Sequence, residues 1–167
     1  MIHLAEALRQ NDHGRHIAID PFASSRFDGL GRAHLEEAGL ATRVTLYEEP
    51  SELCLPRLVR EGLRVNLAFV DGHHLFDYVM AECLFLGKLL PRGGFLVIDD
   101  ANLPGVARAC DFLAANRPDF EELTETRRPG LLQRLFRAPL PSPPPVLRVF
   151  RRVADEDTRD WTHFVPF

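Results

Sequence analysis

The chain has 167 residues, 46% of them hydrophobic and 26% charged, with a net charge of −4. This size and mix fit one soluble globular domain with a packed core and exclude a disordered or fibrous chain. No run approaches the roughly 20 apolar residues needed to cross a bilayer, and no basic segment leads into an apolar one at the start, so a cytoplasmic protein without a membrane partner is expected.

Cys54, Cys83 and Cys110 are odd in number, far apart and never in a Cys-x-x-Cys arrangement. They read as three reduced, buried thiols rather than a disulfide framework or zinc site. Residues 127–152 hold seven arginines and no acid, which leaves −11 for the rest of the chain. The stretch lacks the interleaved aromatics of a single-strand binder, so nucleic acid is disfavoured as a partner and a solvated arginine-rich face is the reading.

In chain order, Leu4, Ala5 and Leu8 share one face of a short opening helix that stops near 11–14. Residues 16–20 form a β-branched run closed by Asp20-Pro21, a buried parallel strand ending in an acid. A helix over 30–38 ends at Gly39, and a strand follows over 43–47. Ser51 opens the next helix, Gly62 ends it, and residues 65–70 run apolar into Asp71-Gly72. Residues 76–90 are helical, 91–94 turn, and 95–98 run apolar into Asp99-Asp100. A helix with proline in its first turn covers 104–116. Five prolines then crowd 139–145, and 146–153 alternates as a last, antiparallel strand.

Four strand–helix alternations imply a doubly wound α/β domain, a mostly parallel sheet covered on both faces by right-handed crossovers. One domain over 1–167 is expected: a βα core over 1–125, then a C-terminal hairpin, Pro-rich loop and tail over 126–167. Trp161, Phe164 and Phe167 are read as pinning that tail to the core.

Ligands of open α/β sheets bind at the carboxyl ends of the strands. Here those ends carry Asp20, Glu48-Glu49, Asp71 and Asp99-Asp100. Each acid taken alone serves equally well as a helix cap. Asp71 and Asp99, however, are 28 residues apart with one helix between them, so one crossover sets their strands side by side. Carboxylates this close raise one another's pKa unless a hard divalent cation, magnesium foremost, neutralises them; a solvated acidic rim is the competing reading. His73 and His74 follow on the same rim, where an imidazole can remove a proton. No nucleophile motif suggests a hydrolase, the lone Gly29-Leu30-Gly31 is a poor phosphate cradle, and Lys88 is the only lysine.

His-Ile-Ala-Ile-Asp-Pro-Phe (16–22), Leu-Ala-Phe-Val-Asp-Gly-His-His (67–74) and Leu-Leu-Pro-Arg-Gly-Gly-Phe-Leu-Val-Ile-Asp-Asp (89–100) resemble class I S-adenosylmethionine-dependent methyltransferases. The likeness is to the small-molecule O-methyltransferase branch with caffeoyl-CoA, catechol and macrocin-type enzymes, and it spans residues 1 to about 125. It implies a Rossmann-like sheet and methyl transfer from S-adenosylmethionine to a hydroxyl of a small-molecule acceptor. By the same resemblance Asp20 grips the cofactor ribose with Phe22 nearby, and Ser51 lies beside the adenine. Pro50 stands where the family carries an acid, which passes the adenine amino contact to Glu49. Asp71 and Gly72 border the cofactor, Asp71, Asp99 and Asp100 match metal positions, and His74 matches a candidate base.

Members of that family open with a strand and a Gly-rich loop, whereas this chain opens with the helix that follows them. The resemblance therefore implies that the first strand is missing and that the 167 residues alone bind S-adenosylmethionine weakly. The strands either side would pair directly, or a partner, such as a second copy in a homodimer, would fill the place. A truncated, non-catalytic methyltransferase-like interaction domain is the alternative function.

Overall fold

The computed structural model describes residues 1–123 and 146–167. Two compact units make up the chain, Met1–Leu58 and Val59–Phe167. No helix among the described residues is long and apolar enough to cross a membrane.

The first unit contains α1 (Ile2–Gln10), β1 (His16–Ile19), α2 (Leu30–Glu37), a short 3₁₀ turn (Ala41–Arg43), β2 (Val44–Tyr47) and the start of α3 (Ser51–Arg60). β1 and β2 pair in parallel, with His16 opposite Val44 and Ile19 opposite Tyr47. The ladder stops there because Pro21 has no amide hydrogen to continue it. Its last bond joins the Asp20 amide to the Tyr47 carbonyl at 3.0 Å, so both strands hand over to acids at the same level. A small core of Ala5, Leu35 and Leu40, with Val44 packed on it, holds α1 and α2 to the strands.

The second unit contains β3 (Leu67–Val70), α4 (Phe76–Leu89), β4 (Phe95–Ile98), α5 (Pro104–Asn116), β5 (Phe120–Glu122) and β6 (Arg148–Arg152). Its four-stranded sheet runs β3-β4-β6-β5, parallel between β3 and β4 and antiparallel at both β6 pairings. As the 28-residue spacing requires, one crossover makes β3 and β4 neighbours, with Val70 opposite Ile98. Ala68, Leu96 and Phe150 form one row across the sheet, and with Val70 and Ile98 they are buried, as are Val79, Cys83, Val106, Cys110 and Leu113 of α4 and α5. Burying an aliphatic or aromatic side chain of this size contributes roughly 1.5–3 kcal/mol. Cys54, Cys83 and Cys110 are all buried.

Two expectations are corrected. The strand over 65–70 starts only at Leu67, because Val65 donates to the Leu89 carbonyl and Asn66 accepts from Phe95 before the regular ladder begins. β3 alternates, with Ala68 and Val70 buried and Leu67 and Phe69 about half exposed at 51% and 50%. In the tail, Phe164 and Phe167 stack edge-on, and Phe167 meets Phe112 of α5, but Trp161 is 96% exposed and pins nothing.

The remaining tail contacts are polar. Asn116 donates to the Val165 carbonyl at 2.8 Å and accepts from its amide at 2.7 Å, as a strand neighbour would. Of the seven arginines in the basic stretch, Arg127, Arg128, Arg134 and Arg137 lie outside the described residues, as do the Pro-rich segment and the connection of the expected hairpin. The other three are ion-paired: Arg148 with Asp111 and Glu122, Arg151 with Glu121, and Arg152 with Asp119.

Candidate functional site

Two groups of chemistry-bearing residues stand at strand ends, one in each unit. In the second unit, Asp71 and Asp99 continue directly from β3 and β4, and the Asp99 amide donates to the Val70 carbonyl at 2.9 Å. The chain leaves each strand sharply. His74 and Asp100 both adopt left-handed backbone, at φ 56° and 50°, a conformation in which the β-carbon crowds the following carbonyl.

These turns bring Asp71, His74 and Asp100 together, with one ligand atom from each lying within 4.8 Å of the others. His74 Nε2 is 3.3 Å from Asp71 Oδ1 and 3.3 Å from Asp100 Oδ2. Asp99 is not in this group, since its Oδ1 turns back to accept the Asp100 amide at 2.8 Å. It serves as the local cap that every such acid can be, and His74 is the third group beside Asp71 and Asp100.

The donor set fits a divalent cation. Two ligands at about 2.1 Å from one ion stand about 3 to 4.2 Å apart, a span approached by ligand atoms that lie within 4.8 Å of one another. Two carboxylate oxygens, from Asp71 and Asp100, suit magnesium or manganese and leave Nε2 of His74 unligated beside them. The cluster is solvent-accessible, with side-chain exposures of 57% for Asp71, 32% for His74 and 41% for Asp100.

Neighbouring residues frame the loop between β3 and α4. Gly72 is backed by the buried Glu82 of α4, whose Oε1 would lie 2.9 Å from any β-carbon at position 72. His73 points to Tyr78, their rings meeting edge-on at 4.7 Å.

In the first unit, Asp20 and Glu48 line one cavity of about 310 Å³, walled by Phe27, Leu30 and Leu46. That volume is at the lower end of small-molecule sites, about 300–1,000 Å³. Asp20 Oδ1 accepts the Phe22 amide at 2.8 Å, which fixes the carboxylate at the strand end. A fixed carboxylate acceptor beside apolar walls fits a ligand carrying vicinal hydroxyls.

Phe22, Glu49 and Ser51 are not among the residues lining this cavity. The Phe22 ring lies under the Arg26 guanidinium, 4.3 Å away. Glu49 pairs with Arg57, which also covers the Tyr47 ring at 4.9 Å, and Ser51 opens α3. Glu48 is the acid that sequence reasoning left without a role. The parity of β2 could have found it, because consecutive residues of an extended chain point to opposite sides.

No curated protein sequence is similar enough to the chain to match it. Solved structures share its fold. An O-methyltransferase from Bacillus cereus in complex with SAH superposes with a TM-score of 0.62 at 17% identity, over 84% of this chain and 63% of that one. The O-methyltransferase TomG from Streptomyces achromogenes, involved in tomaymycin synthesis and in complex with SAM, gives 0.59 at 19% over 90% and 78%. Cofactor-bound Rv0187 from MTB gives 0.61 at 18% over 83% of this chain, which spans 62% of its length. At these identities the likeness establishes a Rossmann-like methyltransferase fold. Residues 1–101, well over half of the sequence, match the profile of a methyltransferase domain, and the chain belongs to that family.

Proposed function

We propose that the chain carries the residues of an S-adenosylmethionine-dependent O-methyltransferase acting on a small-molecule hydroxyl with the help of a divalent cation. The observation that carries this reading is the convergence of Asp71, His74 and Asp100 at the ends of adjacent strands. Bound S-adenosylmethionine supplies a methyl group on sulfonium sulfur, and a cation held by Asp71 and Asp100 supplies positive charge that lowers the acceptor's pKa.

The chain's own residues do the rest. Asp20 accepts hydrogen bonds from the ribose hydroxyls at its cavity, and Glu48 is a second acceptor on the same wall. Nε2 of His74 takes the acceptor's proton as the oxygen–carbon bond forms and the sulfur–carbon bond breaks. The imidazolium so formed faces two carboxylates at 3.3 Å, which offsets its charge. No covalent enzyme intermediate is required.

The test is S-adenosylhomocysteine release with phenolic and sugar acceptors, with and without manganese. His74→Asn, a residue that tolerates the left-handed backbone, is expected to lower turnover about 10²–10⁴-fold. Turnover indifferent both to that change and to chelation would sink the proposal.

The half-exposed Leu67 and Phe69 on β3, which pairs only with β4 among the described residues, favour a second reading: an interaction domain that associates with its own copy. Sedimentation would show a dimer that Phe69→Lys dissociates. A wild-type chain monomeric at high concentration would exclude it.

A further inference from the structure

We infer that Gly105, on α5, is the positioning residue of His74. The inference takes from the proposed function only that His74 works at this site, and its ground is the packing of α5 against the backbone of 74–76. Gly105 follows Pro104 in the first turn of α5 (Pro104–Asn116), and its backbone is not among the left-handed glycines of the chain. Conformational freedom therefore does not explain a glycine there. On helix propensity alone alanine is the better residue.

Space explains it. A β-carbon at position 105 would lie 3.0 Å from the His74 carbonyl oxygen and 3.1 Å from the Phe76 amide nitrogen. Both are backbone atoms, which cannot swing aside as the tip of a long side chain can. Unstrained contacts of carbon begin at about 3.5 Å, so the segment 74–76 would have to retreat by several tenths of an ångström.

That segment has little slack. His74 is already at φ 56°, Leu75 is extended at φ −91° and ψ 141°, and Phe76 is the first residue of α4. The start of α5 is tied to the other side of the cluster as well, because the Leu103 amide donates to the Asp100 carbonyl at 2.8 Å. One helix start thus touches the backbone of His74 through Gly105 and holds that of Asp100 through the preceding turn. Their 3.3 Å separation is set where glycine lets the two segments close.

The test is Gly105→Ala in the full chain, read by the histidine Cε1–Hε1 NMR cross-peaks, with the His74 peak identified by its loss in His74→Asn. The expected result is a displaced His74 peak with unmoved peaks of His16 and His34. A folded Gly105→Ala with its His74 peak at the wild-type position overturns the inference.

Should Gly105→Ala not fold, the double variant with His74→Gly decides. Regained folding supports the contact, because glycine at 74 lets the segment yield, and no recovery overturns it. The two readings fail separately. A wild-type chain without methyl transfer whose His74 peak still moves in Gly105→Ala loses the function and keeps the positioning role.

Discussion

Nε2 of His74 and Oδ2 of Asp100 stand 3.3 Å apart, and both residues hold left-handed backbone, at φ 56° and 50°. That conformation costs roughly 1–2 kcal/mol for an ordinary L-residue, less for Asp or Asn, whose short polar side chains bond locally. Two strained positions therefore meet at the mouth of adjacent strands, an arrangement that persists only when the surrounding structure holds it. Asp99 contributes by capping the Asp100 amide at 2.8 Å.

Charge and backbone at position 100 can be separated. Asp100→Asn keeps a residue suited to φ 50° and removes a charge that is 41% exposed, so the urea midpoint should hardly change while manganese affinity falls at least tenfold. Asp100→Ala should lose the same affinity and, in addition, about 1 kcal/mol of stability. Equal stability of the two variants would show that the turn carries no strain.

Removing the second carboxylate gives an independent measure of the cluster. Asp71→Asn leaves β3 and its ladder untouched, since the Asp71 side chain is 57% exposed and lies beyond the end of the strand, 3.3 Å from His74. Manganese affinity, followed by calorimetry, should drop by an order of magnitude or more, with unfolding altered by less than about 0.5 kcal/mol. Undiminished affinity would remove Asp71 from the ligand set.

Strand positions were legible because each apolar run ends in an acid at a break, as at Ile19-Asp20 and Ile98-Asp99. β5 was not, because Phe-Glu-Glu has one apolar residue and stands as a strand through its partner, Glu121 facing Arg151 across β6 with an ion pair of 2.7 Å. Spacing named Asp71, His74 and Asp100 but could not tell that His74, rather than Asp99, completes the cluster. That choice depends on two left-handed turns and on the close approach of Gly105, neither of which has a periodic signature. Glu48 and Glu49 are adjacent in sequence, and only the direction of their side chains sends one to the cavity and the other to Arg57.

A buried ion network fixes β6. Asp119 is 1% exposed and accepts from Arg117 Nε at 2.8 Å and Nη2 at 2.7 Å, with Arg152 Nη1 at 3.6 Å. Asp119→Ala removes the bidentate partner of Arg117, which keeps Asp157 at 3.6 Å, and the carboxylate 3.6 Å from Arg152, a loss of about 3 kcal/mol, the low end for broken buried pairs. Chemical denaturation should register that loss. A cost below 1 kcal/mol would mean that the arginines find water instead.

The tail makes a spectroscopic prediction. Trp161 is the single tryptophan and 96% exposed, so its emission in the native protein should match that of free tryptophan and barely change on unfolding. Asn116→Ala removes both bonds to Val165, whose distances are 2.8 and 2.7 Å, and should speed proteolysis after 160 while costing about 1–3 kcal/mol for the orphaned backbone groups. A blue-shifted native emission would place the tail elsewhere.

His16 gives the pH dependence its sign. Burial at the start of β1 lowers its pKa from the ordinary 6.5, and the positive N-terminus acts in the same direction. The unfolded chain therefore binds a proton near pH 6.5 that the folded chain still refuses. The associated stability is complete above 6.5 and is lost as pH falls through that value toward the lower folded pKa, with a slope of at most about 1.4 kcal/mol per pH unit. His16→Gln should flatten the fall in urea midpoint between about pH 8 and about pH 5.5 without changing its sign at lower pH, where carboxylates take over. The same loss in the variant as in the wild type would assign the dependence to another of the seven histidines.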